Sequence, residues 1–139
     1  MTKSTIPAPI MVEIGPGELL DKLSILHIKA DRISDPAKLA NIRYELGVLE
    51  KCRKANVPDS ETITALFADL RKVNEALWEI EDDIRDCEAA GDFGDKFIQL
   101  ARSVYLTNDK RAALKKEINL ALNAAIVEEK SYSDYQGTS

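Results

Sequence analysis

Apolar side chains recur at alternating steps of four and three along most of this chain, and that recurrence restricts it to packed helices. The longest clean run is Leu66, Leu70, Val73, Leu77, Ile80, Ile84 and Cys87, on one face of a helix expected from about Ser60 to Ala90. At about 1.5 Å per residue such a helix reaches roughly 45 Å, which suits a bundle or a helical hairpin better than a small globule. Leu19, Leu23, Leu26, Ala30 and Ile33 make a second seam between Glu18 and Ile33, widened by Ile25 and Ile28, and Leu39, Ile42, Leu46 and Leu49 make a third. The boundaries are written in turn chemistry. Asp35 can N-cap a helix that opens on Pro36, the run Asn56 to Ser60 ends that helix and caps the next, and the break Gly91 to Gly94 leads to Asp95 as the expected N-cap of the last.

That last helix, Phe97 to Ala125, carries a seam of Leu100, Val104, Thr107, Arg111, Leu114, Ile118, Ala121 and Ala125, with a threonine and an arginine at its centre and Asn108 and Asp109 beside them. Antiparallel pairing of the two long helices about Asp92 and Phe93 would set Arg111 level with Asn74 and Glu75, Thr107 with Trp78, and Arg102 with Asp82 and Asp83. The expected architecture is therefore all-α: an antiparallel helical bundle built on a long helical hairpin, with two shorter N-terminal helices and an extended N-terminal arm. Residues 1–17 read as the arm, 18–130 as a single helical domain and 131–139 as a polar C-terminal tail in which Tyr132 and Tyr135 are candidates to dock. Within the arm, Pro7 and Pro9 disfavour helix and Ile10 to Ile14 has the composition of one short strand, with no second strand in the chain to pair with. It is expected either to lie along the helices or to pair with its copy in an oligomer.

The polar interruption supplies the candidate site. Trp78, Glu81, Asp82 and Arg85 share a face of the third helix, and Arg102, Tyr105, Asn108, Asp109 and Arg111 face it from the fourth. An arginine withdrawn from water requires a carboxylate, and acidic residues stand at matching height. Such a layer fixes helix register, or it forms a ligand site in which Arg102, Arg111, Lys115 and Lys22 face an anion while Tyr105 and Trp78 provide flat apolar walls. A third possibility is a helix break at Thr107 to Asp109, with Asn108 or Asp109 capping a new helix.

Composition removes several other chemistries. The net charge of −5 opposes nucleic-acid binding. No apolar run approaches a bilayer span, and the prolines of the N-terminal segment do not suit a signal peptide, so no membrane insertion and a cytoplasmic location are expected. Cys52 and Cys87 lack neighbours at ligand spacing and His27 is the only histidine, which argues against zinc sites and His-based catalysis. Lys110, Arg111, Lys115 and Lys116 are expected on a solvated face with salt bridges. Glu18 and Asp21, and Glu79 and Asp82, have the one-turn spacing with which all-α nucleotide pyrophosphohydrolases hold magnesium. A chorismate-type helical mutase is not supported, because its basic residues on the first long helix are missing.

The segment Gly17 to Lys29, Arg32-Ile33 and Lys38 to Asn41, with Leu77 to Arg85, Ala101 to Tyr105, Asn108-Asp109, Arg111, Lys115, Ile118-Asn119 and Glu128 to Tyr132, is similar to a bacterial single-domain family of unknown function. The resemblance covers residues from about 12 to 135. It implies one domain and a setting beside cell-surface polysaccharide and glycosyltransferase genes, and brings no activity and no assigned residues. The reading taken forward is a non-catalytic helical interaction module, homo-oligomeric, whose polar layer binds a protein partner or an anionic small molecule, with no cofactor. The alternative is a magnesium-dependent hydrolase of nucleotides or sugar nucleotides.

Overall fold

Capping chemistry decides where the helices begin and end. The computed structural model describes residues 8–134, which contain four helices: α1 (Pro16–Arg32), α2 (Pro36–Asn56), α3 (Glu61–Ala90) and α4 (Asp95–Ala121). Asp35 accepts from the Lys38 N–H at the head of α2, and Ser60 from the Ile63 N–H at the head of α3, as their positions predict. Gly91 lies in the left-handed region at φ 67° and ends α3, with the Gly91 N–H donating to Glu88 and the Asp92 N–H to Cys87.

Three boundaries differ from expectation. The N-cap of α4 is Gly94, not Asp95; Asp92 turns back to accept the Gly94 N–H, and Asp95 occupies the first turn, where its charge complements the helix dipole. At the other end α4 stops at Ala121, short of Ala125. Asn123 takes a positive φ of 51°, the Asn123 N–H donates to the Leu120 carbonyl and the Ala124 N–H to Asn119, a closed left-handed terminus of the kind glycine usually makes. Finally, no strand occurs among the described residues, and Pro16 and Gly17, assigned to the arm, belong to α1. Residues 8–14 are neither helix nor strand; Ile10, Met11 and Val12 are 90%, 85% and 72% exposed, while Val12, Glu13 and Ile14 border a cavity with Leu19, Cys52, Asn56 and Val57. Pro7 and Tyr135 lie outside the described residues.

α1 is the element the others pack around. It contacts α2, α3 and α4, while α3 and α4, joined by residues 91–94, make the most extensive helix pair. Leu19, Leu20 and Leu23 of α1 meet Val57, Ile63, Leu70 and Ile118 in the core, with Leu46, Leu49, Leu66 and Phe67 packed on it. The seam of α4 is shallower than its periodicity implies: Leu100, Val104, Thr107 and Leu114 are half-buried, Ile118 is buried and Ala121 is exposed.

Candidate functional site

Beside its leucines, α1 presents a strip of small and polar residues, Gly17, Asp21 and Ser24, that is fully withdrawn from solvent. Gly17 lets α1 approach α4 closely: a Cβ there would stand 2.4 Å from the Lys115 carbonyl oxygen. The Gly17 N–H, one of the donors that a helix start leaves unpaired, donates to Asn119 Oδ1 at 2.8 Å. A side chain 102 positions away thus does the work of a cap, since Gly15 has no side chain to cap α1.

One turn further along, Asp21 is 1% exposed and is held from three sides. Arg111 donates Nε to Oδ1 at 2.9 Å and Nη2 to Oδ2 at 2.5 Å, a two-pronged pairing of planar groups. Asn74 Nδ2 donates to Asp21 Oδ1 at 2.9 Å and to Ser24 Oγ at 2.7 Å, and Ser24 Oγ donates in turn to the Asp21 carbonyl. Lys115 Nζ lies 4.0 Å from Asp21 Oδ2 and donates to Glu18 at 2.7 Å and to Glu128 at 3.3 Å. Among the described residues no buried side-chain nitrogen or oxygen lacks a partner. The layer therefore ties α1, α3 and α4 together with its polar atoms satisfied.

The charges follow from this geometry. Burial alone pushes the Asp21 carboxyl up, but hydrogen bonds from Arg111 and Asn74 and the charges of Arg111 and Lys115 outweigh it and hold the group below its ordinary value. The Asp21 hydrogen bond raises Arg111 against the opposing effect of burial. Burial lowers Lys115, yet Glu18, Asp21 and Glu128 bring it to a net rise.

The partner of Arg111 is thus on α1, not on α3 as helix pairing suggested. Asn74, placed level with Arg111 by that pairing, does share its carboxylate oxygen, whereas Glu75 pairs with Arg71 of its own helix. Antiparallel pairing relates only two helices, and α1 inserts its own carboxylate between them. Thr107 to Asp109 is continuous helix, so the proposed break is absent.

Around this layer lie three cavities that meet at Asn108. Trp78, Glu81, Asp82, Arg85, Asn108 and Arg111 line one of about 410 Å³, gathering most of the expected ligand site. Within it Arg85 pairs with Glu81 at 3.3 Å, and Arg32 stands 5.9 Å over the Trp78 ring. A second, of about 320 Å³, has Arg111, Lys115, Lys116 and Lys130 against Glu18 and Glu128. Tyr105 lines a third, of about 850 Å³, between α4 and residues 130–134. Arg102 is exposed and lines none of the three, and Lys22 is an exposed partner of Glu18.

In the sequence Asp21 stands out only as a candidate magnesium ligand, and Ser24, Asn119 and Lys130 do not stand out as site residues. The available signal was a glycine, an aspartate and a serine at steps of four and three on a leucine-rich helix. The four carboxylates of the magnesium alternative are divided: Asp21 and Glu18 bind Arg111 and Lys115, Glu79 pairs with Arg32, and Asp82 lines the cavity beside Trp78. Among the described residues no group of three or more His, Cys, Asp or Glu side chains is placed to hold a metal ion. His27 lies against Glu50 at 3.0 Å and edge-on to Phe67.

Fold and site together define a helical protein with a buried ion-pair layer floored by a cationic cleft, and no helix among the described residues is long and apolar enough to cross a membrane. The chain belongs to the family of unknown function DUF6165, whose model matches residues 10–139. No curated protein and no solved structure matches it.

Proposed function

We propose that this protein is a non-catalytic, cytoplasmic helical module, built on an antiparallel α3 and α4 hairpin, that binds an anionic ligand in the cleft beside α4. The observation that carries this reading is the double role of Arg111. Its Nε and Nη2 are fixed on buried Asp21, leaving further guanidinium N–H donors, and Arg111 lines a cleft that also holds Lys115, Lys116 and Lys130. A guanidinium fixed in this way is already oriented for a phosphate or carboxylate, so less freedom is lost on binding. Glu128 and Glu129, 56% and 75% exposed, occupy Lys115 and Lys116 as replaceable carboxylates.

Calorimetric titration with inorganic phosphate tests the reading. Phosphate binds the wild type, Lys116→Ala with Lys130→Ala weakens it about tenfold or more, and Glu128→Gln strengthens it by removing the competing carboxylate. Absence of phosphate binding to both the wild type and Glu128→Gln at tens of millimolar overturns it.

A second reading rests on the run Ile10, Met11 and Val12, whose apolar side chains stand in solvent. A second copy of the chain is the proposed partner, making the module a homo-oligomer. Light scattering after size-exclusion chromatography should give at least twice the mass of 15.4 kDa, and replacing the three residues with serine should return a monomer. A wild-type monomer at micromolar concentration removes this second reading.

A further inference from the structure

The cationic cleft does not stop at its lysines. Asn108, Ala112 and Lys130 line both it and the cavity of about 850 Å³ between α4 and the C-terminal segment, so the two adjoin. The walls change character across that boundary. On the far side stand Val104, Tyr105 and Tyr132, with Asp109, Ser133 and Asp134 at the edge. Tyr132 is 80% exposed and offers its ring to Lys130 Nζ at 5.6 Å, so the aromatic face and the cation that borders the anion cleft already stand together.

A ligand filling both parts needs an anionic head for Arg111, Lys115 and Lys130. It also needs a body with a flat face for a tyrosine ring and hydroxyl groups that donate to carboxylates. Resting on the anion-binding reading of the cleft, we infer that the occupant is a phosphate ester of a hydroxylated ring, its phosphate on Arg111 and Lys130 and its ring against Tyr132. Sugar phosphates and nucleotides share this chemistry. A bare phosphate would leave the larger cavity unfilled, and an uncharged ring would forgo the cations.

Titration of the full-length protein with inorganic phosphate, glucose 1-phosphate and adenosine 5′-monophosphate, in the wild type and in Tyr132→Ala, tests this. Tyr132 is exposed and outside every helix, so its removal leaves the fold intact, as circular dichroism will verify. At least one ester should bind about tenfold tighter than inorganic phosphate, and Tyr132→Ala should erase most of that advantage while leaving inorganic phosphate unchanged. The stronger ester tells the sugar from the nucleotide. Esters no tighter than phosphate, or an equal loss for all three ligands in Tyr132→Ala, overturn the ring subsite and leave the anion cleft standing. Failure of all three to bind both the wild type and Glu128→Gln overturns both readings.

Discussion

Asp21, Asn74 and Arg111 form one polar group and Glu81, Asp82 and Arg85 another, from similar side chains with opposite outcomes. In the first, Asp21 is 1% exposed and Arg111 30%, and each group has a defined partner. In the second, Arg85 is 77% exposed and Glu81 52%, and they pair along their own helix. The difference is α1. Its bonds to α3 reach Arg71, Asn74 and Glu79, so it covers the first group and leaves the second to solvent. Residue type made both polar; coverage by a third helix made one of them part of the core.

The contrast is broken most directly by Arg111→Ala. It strands a buried carboxylate and should cost about 3–5 kcal/mol in chemical denaturation, while replacing Asp21 and Arg111 together by leucine and methionine should recover much of that loss. Gly17→Ala comes next. Its new Cβ meets the backbone of Lys115, which cannot yield as a side chain would, so α1 must move off α4 at a cost of about 1–3 kcal/mol.

Acid should separate the two groups as well. Because the folded state holds Asp21 below its ordinary value, its contribution is complete above the ordinary carboxylate range and is lost as pH falls toward the lowered value. A melting series from pH 6 to pH 2 should therefore fall more steeply in the wild type than in the doubly substituted Asp21 and Arg111 variant. The smallest effect belongs to the exposed pair: Arg85→Ala should change stability by less than about 0.5 kcal/mol. A loss comparable with that of Arg111→Ala would mean that the second group is covered too.

Much of the fold was legible in the sequence because its causes are local. Seams at steps of four and three marked four helices, and Asp35, Ser60 and Gly91 marked boundaries that depend on side chains and dihedrals within a few residues. The left-handed turn at Asn123 was missed because asparagine adopts that conformation only in some settings, whereas glycine announces it. For the site, the sequence identified an arginine out of place in an apolar seam and set Asn74 opposite it. It could not say that the carboxylate between them comes from α1, 90 positions from Arg111, or that Asn119 caps a helix 102 positions away. Periodicity tells which face of a helix is buried and not what covers it. Only the packing of α1 across both long helices decided that Asp21 is a buried anchor and Glu81 a surface charge.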